Sequence, residues 1–125
     1  MILEKGQTFK VGYVNFIVTD IKVTKGCTAY YCQQLSGGHI GNYEVFEDFE
    51  LLDNTLVTIG PKLNLKDKHI KQKLKTNEKR FEYQVKLDNY RHLKKQLDKL
   101  KQEYFEAFNA YRMEKEILRT IPRSK

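Results

Sequence analysis

The chain has no tryptophan, two prolines, two cysteines and three histidines. It also lacks any long apolar run. Each shortage excludes something. No stretch approaches the roughly 20 apolar residues a helix needs to cross a bilayer, so no membrane partner is expected. The first residues, Met1-Ile2-Leu3-Glu4-Lys5-Gly6, lack the basic-then-apolar layout of a secretion signal. A cytoplasmic location is therefore expected. Cys27 and Cys32 have only His39 near them in sequence, too few donors for a closed metal site. No metal and no cofactor is expected. The two cysteines sit five apart in an expected strand, which points their side chains to opposite faces and disfavours a disulfide. Buried free thiols are the expectation. His39, His69 and His92 are scattered, and no nucleophile has a base with local support. The loop Ser36-Gly37-Gly38-His39-Ile40-Gly41 has no Gly-Lys-Ser/Thr and precedes a strand, unlike a phosphate-binding loop. Neither catalysis nor a small-molecule substrate is expected.

Glycine and charge are unevenly spread. All seven glycines lie at or before position 60. Residues 1–60 carry four basic and seven acidic side chains, a net charge of −3; the remaining 19 basic and nine acidic side chains give the rest +10. Two parts with different jobs are expected: a small β domain over residues 1–60 and a basic helix over 61–125, an α+β chain.

In the first part, glycines punctuate short runs rich in Val, Ile, Thr, Tyr and Phe, the pattern of strands joined by tight turns. Strands are expected over Gln7–Val11, Tyr13–Thr24, Cys27–Leu35, His39–Phe46 and Thr55–Ile59. In the second of these, Val14, Phe16 and Val18 are apolar at even positions, and Ile21 and Val23 at odd ones. One residue of slip reverses the buried face, so a bulge or bend is expected between Ile17 and Asp20. A long, bent second strand is what closes a small five-stranded barrel. In strand lengths and glycine spacing the layout resembles SH3-like or Tudor-like barrels, an architectural likeness that implies no particular function. Phe46, Phe49, Leu51 and Leu52 either complete the barrel core or pack on the helix. Among them Glu47, Asp48, Glu50 and Asp53 form an acidic cluster, read as a solvated strand edge or turn, or as a patch that meets a basic partner. Of the tyrosines Tyr13, Tyr30, Tyr31 and Tyr43, alternation puts Tyr30 and Tyr31 on opposite faces.

From Pro61 to Ile121 there is no glycine and no internal proline, and good helix formers dominate. A helix from about residue 65 to 120 would be roughly 80 Å long. Tyr90, Leu93, Leu97, Leu100, Tyr104, Ala107, Tyr111 and Leu118 follow alternating steps of three and four, with Glu114 interrupting. This is a coiled-coil seam. One small barrel cannot cover it, so a homo-oligomer is expected through Tyr90, Leu93, Leu97, Leu100, Tyr104, Tyr111 and Leu118. Phe105 and Phe108 flank the seam and, with Glu47, Asp48 and Glu50, are candidates for binding a protein partner. Upstream, Ile70, Leu74 and Phe81 form a weaker stripe out of register with the later one. Thr76-Asn77-Glu78 can cap a new helix there, so one helix with a stutter and two helices with a break near 76–77 both stay open.

Lys62, Lys66, Lys68, Lys71, Lys73, Lys75, Lys79 and Arg80 are opposed only by Asp67 and Glu78. Such a run can be a solvated face, or can neutralise the phosphates of a nucleic acid. The leading expectation is a non-enzymatic interaction protein that oligomerises through its helix. It fits a phage or mobile-element accessory factor that binds and modulates a host enzyme or defence complex, acting in the host cytoplasm. The alternative is a nucleic-acid-binding protein that uses the basic helix and barrel aromatics.

Overall fold

The computed structural model describes residues 3–52 and 54–123. Met1, Ile2 and Asp53 lie outside the described residues, as does the side chain of Leu52, so their expected roles in the N-terminus, the acidic cluster and the core are not placed. The elements are β1 (Gln7–Val11), β2 (Val14–Thr24), β3 (Cys27–Gln34), β4 (Tyr43–Glu47), α1 (Asp48–Leu52), β5 (Val57–Lys62) and α2 (Lys68–Thr120). The protein is thus a five-stranded antiparallel sheet followed by one long helix.

The strand order is β4-β3-β2-β1-β5. The closed barrel expected from the sequence does not form: β4 and β5 occupy opposite edges and share no ladder. Closure needs a further row of hydrogen bonds between the edges. Here β4 is five residues long and runs directly into α1. The slip expected in β2 is present. Val18 pairs with Cys32 and Asp20 with Tyr31, so the ladder shifts across Thr19.

That bulge lets β2 serve one core from both its halves. Phe16 and Val18 before it lie in a buried cluster with Leu3, Phe9, Tyr30, Cys32 and Leu51, and Ile21 after it packs against the same cluster. The rings of Phe9, Phe16 and Phe46 lie 5.0–5.7 Å apart, one pair stacked and two edge-to-face, a geometry that adds to simple burial. The Tyr30 hydroxyl accepts from the Leu3 amide at 3.2 Å and donates to Asp48 Oδ1 at 3.0 Å, tying the N-terminal segment and α1 to the core. Leu51 is buried and Phe49 exposed, so of the aromatic and leucine group at the end of the sheet Leu51 and Phe46 serve the core.

The fourth and fifth strands differ from expectation. β4 begins at Tyr43 rather than His39, because Gly41 N–H donates to Gln34 O and Asn42 N–H to His39 O, which holds the segment as a turn. β5 continues through Pro61 to Lys62. A proline is tolerated there because β5 is an edge strand, where an N–H is dispensable.

α2 starts at an Asp67 cap, whose Oδ1 accepts from the amides of His69 (2.8 Å) and Ile70 (3.4 Å). It then runs unbroken to Thr120. The break weighed near 76–77 is therefore absent. Asn77 caps nothing; its side chain reaches the sheet. The chain divides into two compact units, Met1–Val85 and Lys86–Lys125, and the first takes in the sheet and the opening turns of α2.

Candidate functional site

Within the first unit, α2 is fastened by polar groups to the side of the sheet formed by β4 and β3. Gln33 is fully buried. Its Nε2 donates to Leu74 O at 2.9 Å and to the Tyr43 hydroxyl at 3.3 Å, and its Oε1 accepts from Asn77 Nδ2 at 3.3 Å. Tyr43 in turn donates to Glu78 Oε2 at 3.3 Å. Burial pushes the Tyr43 hydroxyl above its ordinary pKa, with the Glu78 carboxylate adding to the rise. The His39 and Phe81 rings meet edge to face at 6.4 Å. Gly41 lies so close to Asn77 that an added Cβ would sit 1.9 Å from its carbonyl oxygen. Ile70, Leu74, Asn77, Glu78 and Phe81 are partly buried, while Lys68, Lys71, Lys75 and Lys79 are exposed. The upstream stripe of Ile70, Leu74 and Phe81 is thus the docked face of α2. The lysines recur at helical spacing on another face.

The remaining basic candidates are dispersed. Lys62 pairs with Glu4 in a contact that holds the Glu4 carboxyl below its usual range. Lys62 and Lys66 line a surface hollow of about 440 Å³ with Lys5, Leu63, Asn64 and Leu65. Lys5 faces Asp20 at 3.3 Å, and Lys79 faces Glu82 at 3.3 Å. Lys73 and Arg80 are exposed.

The acidic candidates have different surroundings. Glu47 accepts from the Cys27 thiol at 3.5 Å, a bond that raises the thiol's pKa. Asp48 accepts from Tyr30 at 3.0 Å. Glu50 lies exposed on α1. Both cysteines are free, and Cys32 is fully buried, its thiol pushed up to about 12 by desolvation, with the Glu44 charge a lesser cause. Among the described residues no cluster of His, Cys, Asp and Glu could hold a metal ion, and no helix is long and apolar enough to cross a membrane.

The second unit, Lys86–Lys125, presents the seam. No described residue of α2 is buried anywhere along it. Tyr90, Leu93, Leu97, Leu100, Tyr104, Tyr111 and Leu118 are all exposed, from 52% at Leu97 to 71% at Leu118. Phe105 and Phe108 gather around Tyr104, at centroid distances of 5.6 and 6.3 Å, and Arg112 lies 6.0 Å over the Phe108 ring. Met113 and Ile117, not singled out in the sequence, are exposed as well. Their neighbourhood, with Asn109, Arg112 and Glu116, forms a hollow of about 480 Å³. Ile117 could have been found from its place one residue before Leu118, beside the seam.

Comparison with protein-family models, with curated proteins and with solved structures gave no match. Sequence reasoning missed the Gln33–Tyr43–Asn77–Glu78 clamp, and no local signal marks it: a glutamine in a strand and an asparagine in a helix carry no periodicity of their own. It also missed Leu56, 62% accessible, which lies at the turn where Gly12 N–H donates to its carbonyl, near Tyr13, itself 99% accessible.

Proposed function

We propose that this chain is a non-enzymatic interaction protein that associates with a second copy of itself through the apolar stripe of Lys86–Lys125. One observation carries the reading. Seven large side chains at heptad spacing, Tyr90 to Leu118, are exposed on the part of α2 beyond the docked turns. Most helical stability in proteins comes from covering an amphipathic face rather than from propensity. Heptad spacing is the pattern that a second helix covers, which makes the segment a coiled coil in the assembled state. The sheet, on the same reading, is an opened variant of an SH3-like or Tudor-like barrel, supported by its meandering strand order and its long, bulged β2. Such a factor suits a phage or mobile element that modulates a host enzyme or defence complex in the host cytoplasm, with Phe105, Phe108 and Glu50 among the exposed groups offered to that protein.

Sedimentation of the full chain at tens of micromolar tests the association. The unmodified chain is expected to run as an oligomer. Leu97→Asp with Leu100→Asp sets charges in a dry seam and is expected to give a monomer of reduced helix content. A monomeric unmodified chain would overturn the proposal.

A second reading has its own observation. Lys68, Lys71, Lys75 and Lys79 are exposed at helical spacing in the part of α2 that the clamp fastens to the sheet. A fastened row of lysines can track the phosphates of a nucleic acid without reading its sequence, since base-edge readout favours arginine and asparagine.

A further inference from the structure

We infer that the second copy lies parallel to the first and in register, forming a two-stranded coiled coil over residues 90–118. The inference rests on the self-association proposed above and concerns its partner's orientation and number. Written as heptads a to g, Tyr90, Leu97, Tyr104, Tyr111 and Leu118 take position a, and Leu93, Leu100, Ala107 and Glu114 take position d. All nine lie on one unbroken helix and are exposed.

The flanking positions set the orientation. Position e holds Lys94, Lys101, Phe108 and Lys115; position g holds Asn89, Gln96, Glu103, Ala110 and Ile117. In an antiparallel pair, e positions face e positions. Every register that overlaps most of the stripe then sets a lysine against a lysine, and no acidic e residue offsets it. In a parallel pair, each g faces the e of the next heptad on the other helix. The contacts become Asn89 with Lys94, Gln96 with Lys101, Glu103 with Phe108 and Ala110 with Lys115, with no like charges together at these flanking positions. Glu114 is the costly layer of this register, because like d positions face each other and bring the two carboxylates together. A d side chain inserts between residues that include the neighbouring e of the facing helix, so in parallel each Glu114 meets Lys115 of the second copy. The lysine offsets part of the repulsion between the two carboxylates.

The same positions limit the number of strands. Bundles of more than two helices bury e and g as well as a and d. Three of the four e residues are lysines, whose charge resists burial. Two strands leave them at the rim.

Paired single-cysteine additions test this on the full chain. Ala107→Cys places a thiol at d, where parallel in-register helices bring like positions within disulfide reach. Asn109→Cys places one at f, on the outer face. Under mild oxidation A107C is expected to give about tenfold or more linked dimer over N109C, because pairing raises the effective concentration of facing thiols. The unmodified chain, with Cys32 buried and Cys27 partly so, sets the background. Sedimentation of the reduced samples separates three failures. A dimer in which A107C links no better than N109C would overturn the parallel register alone. A trimer or larger would overturn the two-stranded assignment. A monomer would remove the self-association beneath both.

Discussion

Gly41 shows how one residue can decide whether two elements meet. Its φ of +94° is one that other residues adopt at a cost of about 1–2 kcal/mol. Gly26 is similar at +74°, but the two differ in surroundings. Nothing lies within 4 Å of a Cβ built on Gly26, whereas one on Gly41 would overlap the backbone of Asn77 and come within 3.0 Å of the Glu78 amide nitrogen. Backbone cannot swing aside as a flexible side chain can. Gly26→Ala is therefore expected to cost only the backbone term, about 1 kcal/mol. Gly41→Ala is expected to cost about 3 kcal/mol or more and to loosen the Gln33–Leu74 contact. Amide exchange of β2 and β3 in increasing urea measures both. Equal losses at the two sites would show that the close approach to Asn77 contributes nothing. The glycine itself was plain in the sequence; that this one touches a helix was not, because its neighbour is 36 positions on.

At the scale of elements, α2 serves two purposes along its length. From Ile70 to Phe81 one face is partly covered and the clamp holds it, while lysines fill another. The out-of-step stripes in the sequence are thus two faces of one helix, the first docked on the sheet and the second exposed. No cap was needed at Thr76–Glu78. The basic face gives a prediction of its own. If it binds nucleic acid, affinity should be largely independent of sequence and should fall steeply with salt as counterions are released. Changing Lys68, Lys71, Lys75 and Lys79 together to Gln should then flatten the salt dependence and lower affinity while leaving helix content nearly unchanged, since Gln is a comparable helix former. Gel shifts with mixed duplex and single strands at two salt concentrations measure it. No shift at low salt in the unmodified chain would remove this reading.

For the whole molecule, the two compact units meet different conditions for stability. Met1–Val85 has a buried cluster of its own around Phe9, Phe16, Val18 and Tyr30. In Lys86–Lys125 every described residue other than Leu87 is exposed. Stability gained by association rises with concentration, whereas that of an internal core does not. The helical signal by far-ultraviolet circular dichroism should therefore melt at a temperature that climbs over a hundredfold range of protein concentration. Loss of sheet structure, followed by exchange at β2 and β3, should stay at a fixed temperature. A helix melt that does not move with concentration would count against the self-association.

Much of this was determined by sequence alone. The partition into strands and helix followed from where glycine and the helix formers lie. The bulge followed from the switch of apolar parity between Val18 and Ile21, and the exposed stripe from steps of three and four. These are local signals, carried by side-chain direction over a few residues. Only the tertiary structure decided that the sheet stays open, that Tyr43 opens β4 and that Gln33 and Asn77 clamp the helix. It also decided that Asp48 accepts a hydrogen bond from the core tyrosine Tyr30. The clamp and the Asp48 contact join groups 18 to 44 positions apart along the chain, and even the turn before β4 depends on which carbonyls the Gly41 and Asn42 amides reach. Local periodicity says nothing about that meeting, because it is set by how the whole chain closes on itself.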